Sequence, residues 1–180
     1  KAVIVKVEKK QKKTMPPKLY DLTTLQREAN RFFGYTAQET LQELQELYED
    51  KLVTYPRTDS QYITEDMEQS TMELLEVLPE ILPFLEGNMG YDVGRIINND
   101  KVSDHHALLP TKESVKKGFS QLTEKQRNLY CMIGQRLAQA VSKECTYEET
   151  QITVQCAGHE FMAKGKRMTE PGFWKIATGF

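Results

Sequence analysis

The stretch VTYPRTDSQYI, residues 53–63, interrupts a series of predicted helices and places a tyrosine, a proline and an arginine in succession. Proline fixes its own φ and pushes the residue before it towards extended backbone, so Tyr55 is held outside a helix. In extended backbone, side chains two residues apart point the same way. The segment is therefore predicted to present the phenol of Tyr55 and the guanidinium of Arg57 side by side.

A phenol beside a guanidinium is suited to phosphoryl transfer. The guanidinium is always charged, and its planar fork of donors matches two phosphate oxygens. It lowers the cost of forming a phenolate and stabilises the charge that builds on a phosphoryl group under attack. Thr58, Asp59 and Ser60 add short polar groups that can orient Arg57. On these residues alone, a capped turn with an exposed tyrosine and arginine is the simpler interpretation.

Capped helices are predicted on both sides of this stretch. Residues 23–26, 36–39 and 123–126 each have the form of a capping box, in which a threonine and a Glu or Gln three residues later satisfy free N–H groups. The last of these opens a long helix over residues 123–143, and Thr64 is predicted to cap a helix directly after the quoted stretch. The middle of the chain is therefore predicted to be helical.

Alternating patterns at the two ends predict β-strands. In residues 2–7, Val3, Val5 and Val7 alternate with Ile4 and Lys6, which fits a strand. The lysine-rich run KKQKKTMPPK, residues 9–18, contains two prolines and is predicted to end regular structure. Residues 152–156 and 161–163 alternate on either side of Ala157-Gly158, which predicts a hairpin. Strands around a helical middle predict an α+β fold, in which a mainly helical domain is inserted into a β domain that is only partly present.

Composition narrows the class of protein. A net charge of −2 over 180 residues argues against a free-standing nucleic-acid binder of the strongly basic kind. No apolar run approaches the roughly 20 residues that a bilayer span needs. The three cysteines are widely spaced, which favours reduced thiols over disulfides or a zinc site: Cys131, Cys145 and Cys156.

A second unusual segment, SDHHALLPT at residues 103–111, contains two adjacent histidines. His105 and His106 could ligate a metal, but no further Cys or His stands at a usual ligand spacing. A protonated histidine beside a phosphate donates from both ring nitrogens. A turn histidine bonded to backbone is the simpler alternative.

The order of these segments closely resembles the middle of a type IA DNA topoisomerase, and DHHALLPT resembles the topoisomerase III subgroup more than topoisomerase I. The resemblance is carried by LYDLTTLQREANRFFGYTAQETLQELQELYEDKLVTYPRTDS (residues 19–60), DHHALLPT (104–111), LTEKQRNLYCMIGQRLAQA (122–140) and YEETQITVQCAGHEFMAKGK (147–166).

This resemblance implies a transesterification on single-stranded DNA. Tyr55 would attack a DNA phosphate and remain attached to the 5′ phosphate, so that strand passage and religation need no ATP. Arg57 would bind that phosphate and steady the transition state, and His105 would contact DNA phosphate; these three are the predicted catalytic residues. The predicted DNA contacts are Arg57, Thr58, Asp59, Ser60 and His105.

The resemblance also implies how the chain is organised. Residues 1–15 and 147–180 would be parts of an arch-like β domain, the hinge of the enzyme, and residues 16–146 would be the helical domain that bears the tyrosine. Because the chain starts at Lys1 in a strand-like pattern, we expect a piece of a longer protein. We expect the piece alone not to cleave DNA.

The implied cofactor and partners lie mostly outside this sequence. Mg²⁺ would be bound by a separate toprim domain, so no metal site is expected in this chain. The expected partners are single-stranded DNA, the toprim and DNA-gripping domains of the same polypeptide, and a helicase, with no membrane. The expected location is the cytoplasm of a bacterium, in association with the nucleoid.

Other tyrosine phosphoryl transferases fit less well. A relaxase would need a cluster of metal-binding histidines, and a recombinase would need arginines and a histidine before the tyrosine, whereas here Tyr55 precedes both His105 and His106. The alternative from another class is a non-catalytic helical module that binds DNA or protein. In such a module Tyr55 would tolerate phenylalanine.

Overall fold

The computed structural model describes residues 1–87 and 90–176. They separate into two units, one formed by Lys1–Pro16 with Lys143–Lys175 and the other by Pro17–Ser142 with Ile176. The last four residues of the predicted segment 147–180 lie outside the described residues. No helix in the described part of the chain is long and apolar enough to span a bilayer.

The strands and helices follow one another in the order expected for strands around a helical middle. The strands are β1 (Val3–Thr14), β2 (Cys145–Cys156) and β3 (His159–Glu170). The α-helices are α1 (Leu22–Phe33), α2 (Ala37–Glu49), α3 (Glu68–Val77), α4 (Lys112–Lys117) and α5 (Glu124–Ala140). Short 3-10 helices cover Glu65–Met67, Leu78–Glu80, Pro83–Leu85, Val93–Ile96, Asn99–Lys101 and Gly172–Lys175.

The first unit contains a three-stranded antiparallel sheet with the order β1-β2-β3. The β2–β3 hairpin closes where Cys156 pairs with His159. Its two turn residues, Ala157 and Gly158, have φ values of 49° and 80°. Positive φ at both turn positions matches the right-handed twist of the strands, so the tight hairpin forms here. The hairpin predicted around Ala157-Gly158 is confirmed.

The prediction that the lysine-rich run ends regular structure is wrong, because β1 continues through it to Thr14. Its lysines meet glutamates carried by β2: Lys9 lies 3.4 Å from Glu148, and Lys12 lies 2.6 Å from Glu149. Opposite charges on neighbouring strands favour the pairing. The lysines therefore support the strand, and the break comes after Thr14.

Two of the three capping boxes in the second unit are confirmed. Thr36 and Glu39 bond reciprocally at the start of α2, and Thr123 and Gln126 do the same at the start of α5. Gly34 ends α1 with a φ of 74°, a left-handed conformation that glycine adopts without steric cost.

The box predicted at Thr23 is wrong, because α1 begins two residues earlier than that box requires. The N-cap is Asp21, whose carboxylate accepts a 2.6 Å hydrogen bond from the Thr24 N–H. Thr64 also fails as a side-chain cap: it makes no capping hydrogen bond, and a 3-10 turn over Glu65–Met67 leads into α3 instead.

The core of the second unit is built from the apolar faces of its helices. Tyr20 packs at its edge, where the Arg136 guanidinium lies 4.0 Å from the ring centroid and the hydroxyl donates to Glu28. The Tyr20 carbonyl accepts a 2.9 Å hydrogen bond from the Leu108 N–H. Fully buried core side chains include Leu25, Leu44, Leu47, Ile63, Leu78, Leu129, Ile133 and Leu137.

Two irregular segments of this unit, residues 51–63 and residues 105–111, run antiparallel and are joined by hydrogen bonds. Val53 pairs with Pro110, and the Thr54 N–H donates to the Leu109 carbonyl at 3.0 Å. The Thr54 hydroxyl accepts from the Leu109 N–H at 3.0 Å. We call this pair of segments the paired loops.

Buried hydroxyls fasten the far end of the paired loops. Thr58 donates its hydroxyl to the His105 carbonyl at 3.1 Å and accepts from the Ser60 N–H at 3.1 Å. The Ser60 hydroxyl lies 2.8 Å from the Lys101 carbonyl. The Leu22 N–H donates to the Thr58 carbonyl at 3.1 Å, so the start of α1 supports the same point.

We expect Glu39→Gln to make the stability of the chain less dependent on acidic pH. The Thr36 backbone N–H and the Lys125 ammonium lower the pKa of Glu39 to about 2. Because the folded pKa lies below the unfolded one, the carboxylate stabilises the fold at neutral pH, and this contribution is lost as the pH falls from about 4.5 towards about 2.

The measurement is the free energy of unfolding of both proteins across that pH range. At pH 7 the free energy of unfolding of wild type should be larger than that of Glu39→Gln, and the difference should disappear as the pH falls. Glu68→Gln, at an exposed carboxylate with no hydrogen bond or ion pair to any residue that the structure describes, is the matched control and should track wild type. A gap that is constant with pH contradicts the assignment.

We expect Thr58→Val to destabilise the second unit by about 1–3 kcal/mol, because a methyl replaces the hydroxyl and leaves the buried Ser60 N–H without its acceptor. Thr23→Val, at an exposed position, is the control. Chemical denaturation measures both changes. Equal stabilities for the two variants would show that the Thr58 hydroxyl does not hold the paired loops together.

Candidate active site

From Pro56 to Ser60 the tyrosine-bearing segment alternates between buried and exposed side chains, and a 3.0 Å hydrogen bond from the Thr58 N–H to the Pro56 carbonyl turns the backbone there. Pro56, Thr58 and Ser60 are buried, whereas Arg57 and Asp59 are exposed. The buried hydroxyls are those that fasten the paired loops, so the same contacts that fix the backbone turn Arg57 and Asp59 outward.

The paired loops bring Tyr55 against His105, which is 50 positions further along the sequence. Their ring centroids are 4.3 Å apart with the planes tilted by 38°. Tyr48, from the end of α2, packs against Tyr55 in an edge-to-face arrangement, at a centroid distance of 5.4 Å and an interplanar angle of 79°. Two aromatic neighbours therefore limit the movement of the Tyr55 ring.

The polar ends of the three predicted catalytic side chains have no hydrogen-bond or ion-pair partner among the described residues. Within residues 1–87 and 90–176, neither the Tyr55 hydroxyl, the Arg57 guanidinium nor the His105 ring makes a hydrogen bond or ion pair. Tyr55 is half-buried, and Arg57 and His105 are exposed. By contrast, His106 Nδ1 lies 2.8 Å from the Ala107 carbonyl. These groups are available to a ligand, and His106 is engaged locally.

Two of the predicted DNA contacts are placed differently from the others. Thr58 is 7% exposed and Ser60 is 4% exposed; the Thr58 hydroxyl bonds to the His105 carbonyl and the Ser60 hydroxyl bonds to the Lys101 carbonyl. A hydroxyl that already satisfies buried backbone groups is costly to redirect to a ligand. Thr58 and Ser60 therefore position the site, whereas Arg57, Asp59 and His105 present side chains to solvent.

Tyr48 is a neighbour of the site that the sequence analysis did not identify. Its side chain is 38% exposed and contacts Tyr55. Its position at the last turn of the helix places it at the edge of the core, where the chain leaves for the paired loops. No local pattern distinguishes such a position from the helix interior.

Two other phenols and one thiol of the unit, those of Tyr20, Tyr130 and Cys131, are kept neutral by burial. Burial raises the pKa of the Tyr20 and Tyr130 hydroxyls, and it raises the pKa of the Cys131 thiol to about 11. All three cysteines are free. Groups held neutral inside the core are poor nucleophiles, so the half-exposed Tyr55 is better placed than these to react.

The described residues do not fit a metal ion. No group of three or more His, Cys, Asp or Glu side chains lies close enough together there to bind one. No step of the chemistry is therefore assigned to a metal held by this chain.

Comparison with known proteins gives these residues a context. A family model described as DNA topoisomerase matches residues 1–179. DNA topoisomerase 3 of Bacillus subtilis (strain 168) is 40% identical over 186 residues, which is 97% of this chain and 24% of the relative. The corresponding protein of Bacillus licheniformis is 41% identical, over 99% of this chain and 25% of the relative. The chain thus spans about a quarter of the length of these relatives.

A solved structure agrees with the fold. The full-length topoisomerase I from Thermotoga maritima superposes with a TM-score of 0.74 at 24% identity, covering 99% of this chain and 30% of that one. The family model, which matches nearly every residue, and the two Bacillus relatives all indicate a DNA topoisomerase. This chain belongs to the DNA topoisomerase family, in its type IA, topoisomerase III branch.

Proposed function

We propose that Tyr55 is the nucleophile with which a full-length topoisomerase containing this chain cleaves one strand of DNA. The observation that carries the proposal is the arrangement around the phenol. The Tyr55 ring packs against His105 with 4.3 Å between centroids, Tyr55 is followed by the outward-facing Arg57, and its hydroxyl has no hydrogen-bond partner among the described residues. Such a phenol is oriented by its ring and free to react at its oxygen.

The reaction is a transesterification in which bonds balance without an external energy source. The Tyr55 oxygen forms a bond to the phosphorus, and the bond from phosphorus to the 3′ oxygen of the preceding nucleotide breaks. The phenol loses a proton and the departing 3′ oxygen gains one. The 5′ phosphate stays on the tyrosine as an ester, so the free 3′ hydroxyl can reverse the step after strand passage.

The neighbouring side chains have separate roles in this proposal. Arg57 offers two N–H groups to the non-bridging oxygens of the phosphate, where charge increases in the transition state. His105 supports the Tyr55 ring and, when protonated, donates to the same phosphate. Thr58 and Ser60 act through the backbone of the paired loops, and Asp59 lies beside Arg57 on the exposed side.

The remaining parts of the proposal concern the protein beyond this chain. We propose that the unit of Pro17–Ser142 is the helical domain bearing the tyrosine and that the β1-β2-β3 sheet belongs to the arch domain. The relatives are about four times as long as this chain, which leaves room for a toprim domain with Mg²⁺ and for DNA-gripping domains. We propose that the 180 residues alone do not cleave DNA, and that the bacterial enzyme works in the cytoplasm with a helicase.

We expect Tyr55→Phe in the full-length protein to abolish the covalent DNA adduct, because the variant keeps the ring and removes the attacking oxygen. The substrate is an end-labelled single-stranded oligonucleotide with Mg²⁺, and denaturant traps the adduct on the 5′ phosphate. Tyr48→Phe, which alters the adjacent phenol, is the control and should keep the adduct. An adduct that survives in Tyr55→Phe would place the nucleophile elsewhere and favour a non-catalytic module here.

We expect Arg57→Ala to lower the cleavage rate by roughly ten- to a thousandfold, as the loss of one transition-state contact does in other enzymes. Single-turnover cleavage of the same oligonucleotide measures the rate. Arg31→Ala removes an exposed arginine of α1 and should leave the rate unchanged. If Arg57→Ala cleaves as fast as Arg31→Ala, Arg57 has no part in the chemistry.

A further inference from the structure

A groove of about 440 Å³ lies in the second unit at the far end of the paired loops. Its central feature is the Tyr62 ring, over which two lysine ammonium groups are held. Lys18 Nζ is 5.4 Å from the ring centroid and Lys101 Nζ is 5.1 Å from it. We call this the Lys18–Tyr62–Lys101 groove.

The two ammonium groups of the groove are not used in ion pairs. Within the part of the chain that the structure describes, neither Lys18 nor Lys101 has a carboxylate within 4.0 Å. This holds although Asp21, Asp59 and Asp100 line the same groove. Attraction to the face of Tyr62 keeps both cations in place without neutralising them. Unneutralised ammonium groups beside an aromatic ring can donate to an anionic group that enters the groove.

The groove continues directly from the tyrosine site, because both paired loops run from one to the other. On one loop Arg57 faces solvent at the site, and Asp59, two residues on, lines the groove. On the other side His105 contacts Tyr55, and Ser103, two residues before the start of that loop, lines the groove. The Thr58 hydroxyl donates to the His105 carbonyl and the Ser60 hydroxyl donates to the Lys101 carbonyl, so these two steps lead in the same direction.

We propose that the Lys18–Tyr62–Lys101 groove binds the DNA backbone phosphate next to the one that Tyr55 attacks; this inference rests on the proposed function. A single strand crossing the tyrosine site in this direction reaches the groove with its next phosphate. Single-strand sites combine cations that follow the backbone with aromatic side chains in this way. Asp21, Asp59 and Asp100 outnumber the two lysines in the lining, so the groove does not attract anions in bulk and holds only a phosphate of a strand that is already bound.

The test uses full-length protein with Tyr55→Phe, in the presence of a chelator, so that binding is measured without cleavage. Affinity for a single-stranded oligonucleotide is recorded against salt for this background and for Lys18→Gln/Lys101→Gln added to it. Losing one phosphate contact should reduce the slope of log K against log[salt] by about 0.7, which is about fivefold in affinity at 0.1 M salt. Lys18→Arg/Lys101→Arg should restore both values.

The control for lost charge is Lys112→Gln/Lys116→Gln, which removes two exposed lysines of α4 in the same unit. It should behave like the background. If Lys18→Gln/Lys101→Gln also matches the background in slope and affinity, the groove is not a phosphate site. Because no cleavage is required, this result stands apart from whether Tyr55 forms the adduct.

An oligonucleotide with one uncharged methylphosphonate then locates the contact. Moved along the positions around the cleavage site, the substitution should weaken binding at the adjoining phosphate about fivefold for protein with Lys18 and Lys101. The same substitution should have no effect on Lys18→Gln/Lys101→Gln. An equal loss in both proteins at every position would overturn the assignment.

Discussion

The hydroxyls of Thr54 and Thr58 hold the tyrosine-bearing loop against the histidine-bearing loop, and the geometry of the candidate site depends on this attachment. Thr54 accepts from the Leu109 N–H at 3.0 Å, and Thr58 donates to the His105 carbonyl at 3.1 Å. Neither loop contains a regular helix or strand that would fix its backbone. With these bonds in place, the Tyr55 ring lies against His105 and the odd-numbered side chains that follow it face outward.

The site separates polar groups that serve the fold from polar groups that serve a ligand. No buried side-chain nitrogen or oxygen among the described residues lacks a hydrogen bond. The Tyr55, Arg57 and His105 side chains, in contrast, end in groups without a protein partner in that part of the chain. Satisfied buried groups make a rigid support, and unsatisfied exposed groups keep their capacity to bind phosphate.

The sequence predicts the features that depend on near neighbours. Thr36 with Glu39 and Thr123 with Gln126 start helices as their spacing indicates. Predictions fail where a neighbouring residue competes for the same hydrogen bond, or where a residue distant in sequence determines the local structure. Asp21 caps α1 in place of Thr23. The lysines of β1 lie in a strand and form ion pairs with glutamates of β2 that are more than a hundred residues away in the sequence. The contact between Tyr55 and His105 depends on hydrogen bonds between distant loops, which no local pattern encodes; family resemblance placed both residues in one site.

The most direct test of this account is a crystal structure of the full-length protein, with Tyr55 changed to phenylalanine, bound to single-stranded DNA. The account predicts one DNA phosphate within hydrogen-bonding distance of both Arg57 and His105, facing the position of the missing hydroxyl, with the paired loops joined as they are here. A strand bound elsewhere, or a ring at position 55 turned into the helical core away from any phosphate, would contradict it.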